Sequence, residues 1–349
     1  MLHHSCGKSN HMQNVSLEIS NRLHTLRALF TFFVVGIHTT PSNIEIQGAL
    51  LFSVSILLDA LYRTAVPGFF LLTGYLSLQN AEPSLNFYRT RFSRIFPAWL
   101  FWSLIYLAYR VTFLNQQISF ASAIRCFISG DTYYHLWFMY RMAGIYLALP
   151  VISILTARSS STNSLCAIGL AFVFNQLAPD IGHLATTFTG HNFQPAVAYP
   201  LGDSLVLFVI TGGLLRSWTN SDIFRNGSVL VFFSAYTTLS VISLLRSFRV
   251  GHLDESTYFA SLITPMAVAF FMAGLRFLPG RTLAPVLRVV SDASFGIYLA
   301  HPLIFELLQR IPVPPLSNRI PIWNTSVVFL TSLLAVHLLR RISLLRILT

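Results

Sequence analysis

The sequence predicts an all-α, polytopic membrane protein of about ten transmembrane helices with both termini cytoplasmic, and three observations predict it. The 349 residues are 54% hydrophobic and 10% charged, with a mean hydropathy of +0.62, whereas soluble proteins carry about 25% charged residues. The apolar residues gather in runs of the length that crosses a bilayer, about 17 to 25 residues. The net charge of +11 comes from arginines and the single Lys8, spread between the apolar runs. That distribution fits positive-inside topology better than a nucleic-acid partner.

Residues 1–21 read as a cytoplasmic, disordered or frayed tail, and 22–349 as one transmembrane domain. The first twenty residues hold no apolar stretch of a signal peptide, and Met1 and Met12 are both plausible starts. No metal is expected from His3, His4, Cys6 and His11, and three cysteines make no disulfide framework. Cys126 and Cys166 sit in or beside apolar runs as small hydrophobes. The first span, 22 to 40, holds Arg27 and His38. The second, 48 to 78, is too long for one straight crossing and contains Arg63 and Pro67, so it reads as two pieces or a kinked helix. The third, 95 to 114, follows Arg89, Arg91 and Arg94, and the fourth, 134 to 156, is entered through an aromatic segment. The fifth, 163 to 178, leads into the longest outer loop, Pro179 to Ala198, whose His183 and His191 could cover a site. The sixth, 199 to 217, opens with Asp203. The seventh, eighth and tenth, 227 to 246, 257 to 278 and 322 to 342, are largely apolar. The ninth, 289 to 310, carries Ser294, Tyr298, His301 and Glu306. An even number of spans puts both termini on one side, and most of the 23 basic residues fall on that side, the cytoplasmic one.

Ionisable side chains inside apolar helices mark functional sites. Arg27 and His38 bracket ten uncharged residues in RALFTFFVVGIH. Eleven steps of about 100° return to within roughly 20°, with a rise of about 16 Å, so both look out from one face and could hold opposite ends of an elongated ligand. In FYRTRFSRIFPAW, Arg89, Arg91 and Arg94 suit phosphates, or serve only as a positive-inside anchor. Asp131, His135, Trp137 and Arg141 enter the fourth span from outside, as a polar group near His38 or as belt residues. His301 is a site residue or a hydrogen-bonded packing residue, and Asp203 a site residue or a helix-start carboxylate. Two classes stay open on this reading. One is an enzyme taking a phosphate-bearing donor, with His38 as base; the other is a transporter or exporter. The absence of an internal repeat favours the enzyme.

Five segments together resemble the acyltransferase 3 family of integral membrane acyltransferases, and within it the O-acetyltransferases of bacterial surface polysaccharides. They are RALFTFFVVGIH, VPGFFLLTGYL (like the family's VPLFFxxSGYL), RFSR, YHLWF with YLALP, and SFGIYLAHP. YHLWF, the Gly-Asp before the sixth span and the length are similar to the subgroup that O-acetylates enterobacterial common antigen; O-antigen acetyltransferases stay open. The resemblance implies that His38 is catalytic, that Arg27 helps hold the donor, and that Arg91 and Arg94, with Arg89 beside them, serve acetyl-CoA. His135, Trp137, Asp203, Tyr298, His301 and Thr73 are then substrate or oxyanion candidates. The implied acceptor is a hydroxyl of a surface glycan or its undecaprenyl-linked precursor at the inner membrane, and a homo-oligomer is compatible with it. Two positions depart from the family pattern. Thr73 replaces a Ser and keeps the hydroxyl, while His24 replaces an Asp and leaves Arg27 without its usual nearby carboxylate.

Overall fold

Every regular element among the residues that the computed structural model describes is helical; these residues are 3–40, 48–82, 84–191, 204–218, 222–253, 259–280, 285–311, 321–343 and 345–349. In chain order the α-helices are α1 (His3–Thr39), α2 (Ala49–Tyr62), α3 (Ala65–Ser77), α4 (Leu85–Phe113), α5 (Phe120–Ser129), α6 (Trp137–Arg158), α7 (Ser161–Phe172), α8 (Ala178–Thr189), α9 (Ser204–Trp218), α10 (Asp222–Val250), α11 (Ala260–Phe277), α12 (Pro285–Gln309) and α13 (Pro321–Leu339). Among the described residues, seven helical stretches are long and apolar enough to cross a membrane: α2 with α3, α4, α6, α7 through α8, most of α10, α11 and α13. The apolar α9 is short at 15 residues. α1 and α12 fall outside that set because they carry the polar groups described below.

The polarity of α1 is tolerated because other helices enclose it. α2, α3, α11, α12 and α13 pack around it, so its ionisable groups face protein and not lipid, the arrangement that intramembrane charges require. Leu26, Phe30 and Val35 on α1 are fully buried, while Leu104, Leu147, Leu245 and Leu330 present an apolar exterior.

Contacts between helices fix their relative directions. His24 hydrogen-bonds Ser291 at 2.9 Å and His38 stacks on His301, so α1 and α12 run parallel. Tyr106 reaches the Leu299 carbonyl and Tyr109 reaches Glu306, which aligns α4 with them. The α2–α3 pair runs against α1, with Tyr62 beside Gly36 and Phe30 beside Gly68. α6 opposes α4 through Trp99–Tyr140 and Arg91–Tyr146, and α10 opposes α2 through Leu57–Tyr236 and Phe52–Phe248. α11 opposes α1, and α13 opposes α12. α3 and α9 run parallel, since Gly74 meets Val209 and Leu78 meets Gly213. Their crossing is close because small residues let the backbones approach: a Cβ on Gly74 would strike the Val209 carbonyl, and one on Gly212 the Leu71 carbonyl.

The second span is two helices, broken at Arg63–Thr64, the first of the two arrangements expected for it. Other sequence expectations change. Residues read as the start of the long outer loop from Pro179 belong to α8, which continues α7 through a π-helical turn at Val173–Leu177. Pro179 did not end the helix because the π-helical turn directly before it already shifts the backbone ladder that a proline would interrupt. α5, capped by Ser119 and closed by Gly130 at φ 85°, is too short for a search tuned to spans. α1 is helical from His3, through the stretch read as a tail. Asp203 lies outside the described residues.

Candidate functional site

A cavity of about 700 Å³ runs beside α1, and Arg27, Val34, Ile37 and His38 all line it. The helical period thus delivers both ionisable ends to one space. Arg91, Arg94, Thr90, Ser77 and Tyr146 join Arg27 at one end, and Arg63, His135, Trp137 and Tyr298 join His38 at the other. Between them the wall is apolar, built from Phe69, Leu72, Ile95, Met139, Met142 and Phe295.

At the arginine end, Ser84 caps α4, its hydroxyl accepting from the Phe87 N–H at 3.2 Å. Arg91 donates to Ser77 Oγ at 3.3 Å and lies over the Tyr146 ring, 5.4 Å from its centroid. Among the described residues no hydrogen bond or salt bridge holds the Arg27 guanidinium; only its backbone carbonyl is engaged, by Thr31. A half-buried guanidinium with unused planar donors is suited to an anionic ligand.

At the histidine end, the His-Pro sequence of α12 does specific work. Pro302 has no N–H, so the Tyr298 carbonyl loses its helical partner, and His301 Nδ1–H donates to that carbonyl at 2.8 Å. This leaves His301 Nε2 as a bare acceptor, buried and without a partner among the described residues. One residue on, the Tyr106 hydroxyl is inserted into the helix: it donates to the Leu299 carbonyl at 2.7 Å and accepts from the Leu303 N–H at 3.2 Å. Such insertion into the backbone ladder is a recognised cause of helix kinks. Tyr106→Phe is therefore expected to strip a carbonyl and an N–H of their partner at once, lowering stability by about 1–3 kcal/mol. Thermal unfolding of detergent-solubilised protein measures this, and an unchanged midpoint would mean that the helix closes the gap unaided.

The His38 ring stacks on His301 with 5.3 Å between centroids and an interplanar angle of 28°, and approaches Tyr134 at 5.0 Å. His135, 1% exposed, has neither ring nitrogen bonded among the described residues, while its backbone carbonyl accepts from Tyr298 Oη at 2.6 Å. The Glu306 carboxylate accepts from Tyr109 at 3.0 Å and Tyr133 at 3.2 Å, anchoring the loop that carries Tyr134 and His135. Burial first, and then the Glu306 charge, push the Tyr133 phenol well above its ordinary pKa, so it stays a protonated donor.

The cavity brings together Arg27, His38, Thr73, Arg91, Arg94, His135, Trp137 and Tyr298, and His301 lies directly behind His38. Arg89 is exposed and does not line the cavity; two residues from Arg91, it points off the shared helical face. The hydroxyls of Thr73 and Tyr298 are committed, to the Phe69 and His135 carbonyls. Sequence reasoning missed Asp59, a fully buried carboxylate that accepts from Arg63 Nε at 3.1 Å and so positions a guanidinium beside His38. An aspartate four residues before an arginine in an apolar run was the available signal. It also missed Asp292, which lines a second cavity, of about 460 Å³, together with Arg27.

The acyltransferase domain of the acyltransferase 3 type matches residues 20–341. An amino-acid racemase of Enterococcus faecalis is 25% identical over 324 residues, which cover 88% of this chain and 43% of that protein. The chain thus spans less than half the length of this curated relative. No solved structure matches it.

Proposed function

This chain belongs to the acyltransferase 3 family, and from that premise we propose that it is an O-acetyltransferase of the bacterial inner membrane, moving an acetyl group from cytoplasmic acetyl-CoA to a sugar hydroxyl of a surface polysaccharide, of the O-antigen or enterobacterial common antigen type, or of its lipid-linked precursor. One observation carries the reading: three guanidiniums at one end of the cavity and His38, with Arg63 beside it, at the other are separated by an apolar middle. The donor has the same pattern, with a phosphate-rich nucleotide, a slender arm and a thioester at its far end. Arg27, Arg91 and Arg94 suit the phosphates, and the helical rise of about 16 Å from Arg27 to His38 suits the arm.

In the direct mechanism, His38 takes the proton of the acceptor hydroxyl. The hydroxyl oxygen attacks the thioester carbonyl carbon, and the tetrahedral oxyanion collapses with cleavage of the C–S bond. The departing thiolate recovers the proton from His38. Histidine suits this exchange because its ordinary pKa lies near neutrality. His301, its own proton committed to the Tyr298 carbonyl, stacks on His38 and orients it. His135 is the best-placed oxyanion donor, since Tyr298 and Thr73 have spent theirs. Asp292, contributed by α12 beside the Ser291 that His24 binds, supplies the carboxylate near Arg27 that His24 lacks.

The alternation of helix directions supports ten crossings: α7 through α8 lies between α6 and α9, which run the same way. Clustering of arginines at one end of the cavity supports cytoplasmic termini. The racemase name of the relative finds no support in the cavity, which holds neither a lysine to carry a pyridoxal cofactor nor a cysteine pair. An exporter remains the competing reading, and the test separates the two. Purified protein in nanodiscs is given isotope-labelled acetyl-CoA and lipid-linked or extracted surface glycans, and the glycans are read by mass spectrometry. Labelled acetyl on the sugar is the expected result. Absence of label with a panel of acceptors, together with altered glycan export in cells, would hand the site to the exporter.

A further inference from the structure

The second cavity, of about 460 Å³, is lined by Arg27, Arg94, Asp292, Arg340 and Arg346, and it shares Arg27 and Arg94 with the main one. A ligand that engages those two arginines can therefore extend into both spaces. The cavity sets four guanidiniums against one side-chain carboxylate. Such an excess of positive charge in a recess calls for a multiply charged anion, and a phosphomonoester carries about −1.5 to −2 at neutral pH. The arginines differ in commitment. Arg340 donates to the Asp292 carbonyl at 2.8 Å and to the Thr349 carbonyl at 3.0 Å, which makes it part of the wall. Arg346 is engaged through its backbone alone, its N–H by the Ile342 carbonyl and its carbonyl by Thr349; among the described residues its guanidinium has no hydrogen bond.

We infer that this second cavity is a phosphate subsite for the ribose 3′-phosphate of the coenzyme A donor, with Arg346 and Arg94 as its ligands and Arg340 holding the wall. The inference rests on the acyl-CoA reading of the main cavity. It follows from the division of space: acyl arm and diphosphate occupy the main cavity up to Arg27 and Arg94, and the 3′-phosphorylated ribose, branching beyond the diphosphate, turns past them. Asp292 is then placed to accept from a ribose hydroxyl, which accounts for a lone carboxylate among the guanidiniums.

The test is calorimetric binding of coenzyme A and of 3′-dephospho-coenzyme A to the full chain in phosphatidylcholine nanodiscs. The wild type is expected to prefer coenzyme A by about tenfold or more, the scale of one charge-assisted contact. In Arg346→Gln the preference should fall to about one, and in Arg346→Lys it should be partly retained, with monodisperse elution reporting the fold of each. Equal wild-type affinities, or a preference that survives in Arg346→Gln, overturn the subsite while leaving the donor reading intact. Binding of neither nucleotide overturns both. The same chemistry could be met by an anionic lipid headgroup. Thermal stabilisation by phosphatidylglycerol that disappears in Arg346→Gln, without any nucleotide preference in the wild type, would assign the cavity to lipid and overturn the proposal.

Discussion

Replacing His38 with alanine is expected to lower acetyl transfer by about 10²- to 10⁴-fold, the contribution of a positioned general base, while the protein still reaches the membrane and the amount of glycan outside the cell does not change. The expected size follows from the chemistry: a sugar hydroxyl is a poor nucleophile at neutral pH, and of the two imidazoles that line the cavity without a ring hydrogen bond among the described residues, His38 is the less buried, His135 being 1% exposed. The fold should survive because the ring borders open space and its principal contacts are ring faces, His301 and Tyr134. Mass spectrometry of surface glycans from cells carrying wild type, His38→Ala or neither reads the outcome. Retention of more than a tenth of the wild-type acetylation by His38→Ala would remove this residue from the chemistry. A fall in glycan amount, with unaltered decoration of what remains, would speak for export.

The second large effect concerns Gly74 and Gly212. Gly74→Val is expected to remove most folded protein from detergent extracts, because the new side chain meets backbone, the Val209 carbonyl, and not a side chain that could swing away. Overpacking a well-filled core costs about 1–3 kcal/mol, and here two helices must separate along their whole contact. Gly212→Val should behave alike against Leu71. The control is Gly144→Ala, at a position in α6 with nothing within 4 Å of a new Cβ, where better helix propensity should help by up to about 1 kcal/mol. Fluorescence-detected size-exclusion chromatography compares the three. A monodisperse Gly74→Val peak of wild-type height would mean that the α3–α9 crossing is slack.

Much of this architecture was legible because membrane burial writes itself as long apolar runs, and because one helical period relates Arg27 to His38. Those two lie on a single helix, so spacing alone places them on one face. What spacing cannot do is join helices. The proximity of His24 to Ser291 spans 267 positions, and with it goes the placement of Asp292; no local pattern encodes it. The Asp59–Arg63 pair was local but diluted, two charges in a 29-residue apolar stretch, where averaging hides them. The TGY segment was legible as a motif and not in its cause, since the reason for Gly74 is the backbone of a helix far along the chain. Arg89 was drawn in by adjacency, although residues two apart cannot share a helical face.

The enclosure of α1 also bears on how the chain is made. An arginine at the centre of a lone helix costs about 2.5–3.5 kcal/mol to insert, and α1 brings two arginines and two histidines into its bilayer-length stretch. On leaving the ribosome it has none of its partners, and the one carrying His301 is synthesised some 260 residues later by the reckoning of the His24–Ser291 contact. α1 must therefore wait in a provisional position and become a stable crossing only once α11, α12 and α13 close around it. A chain truncated before α11 would leave α1 unsheltered on that side, and the two ends of the cavity beside α1 are completed only when the last helices arrive.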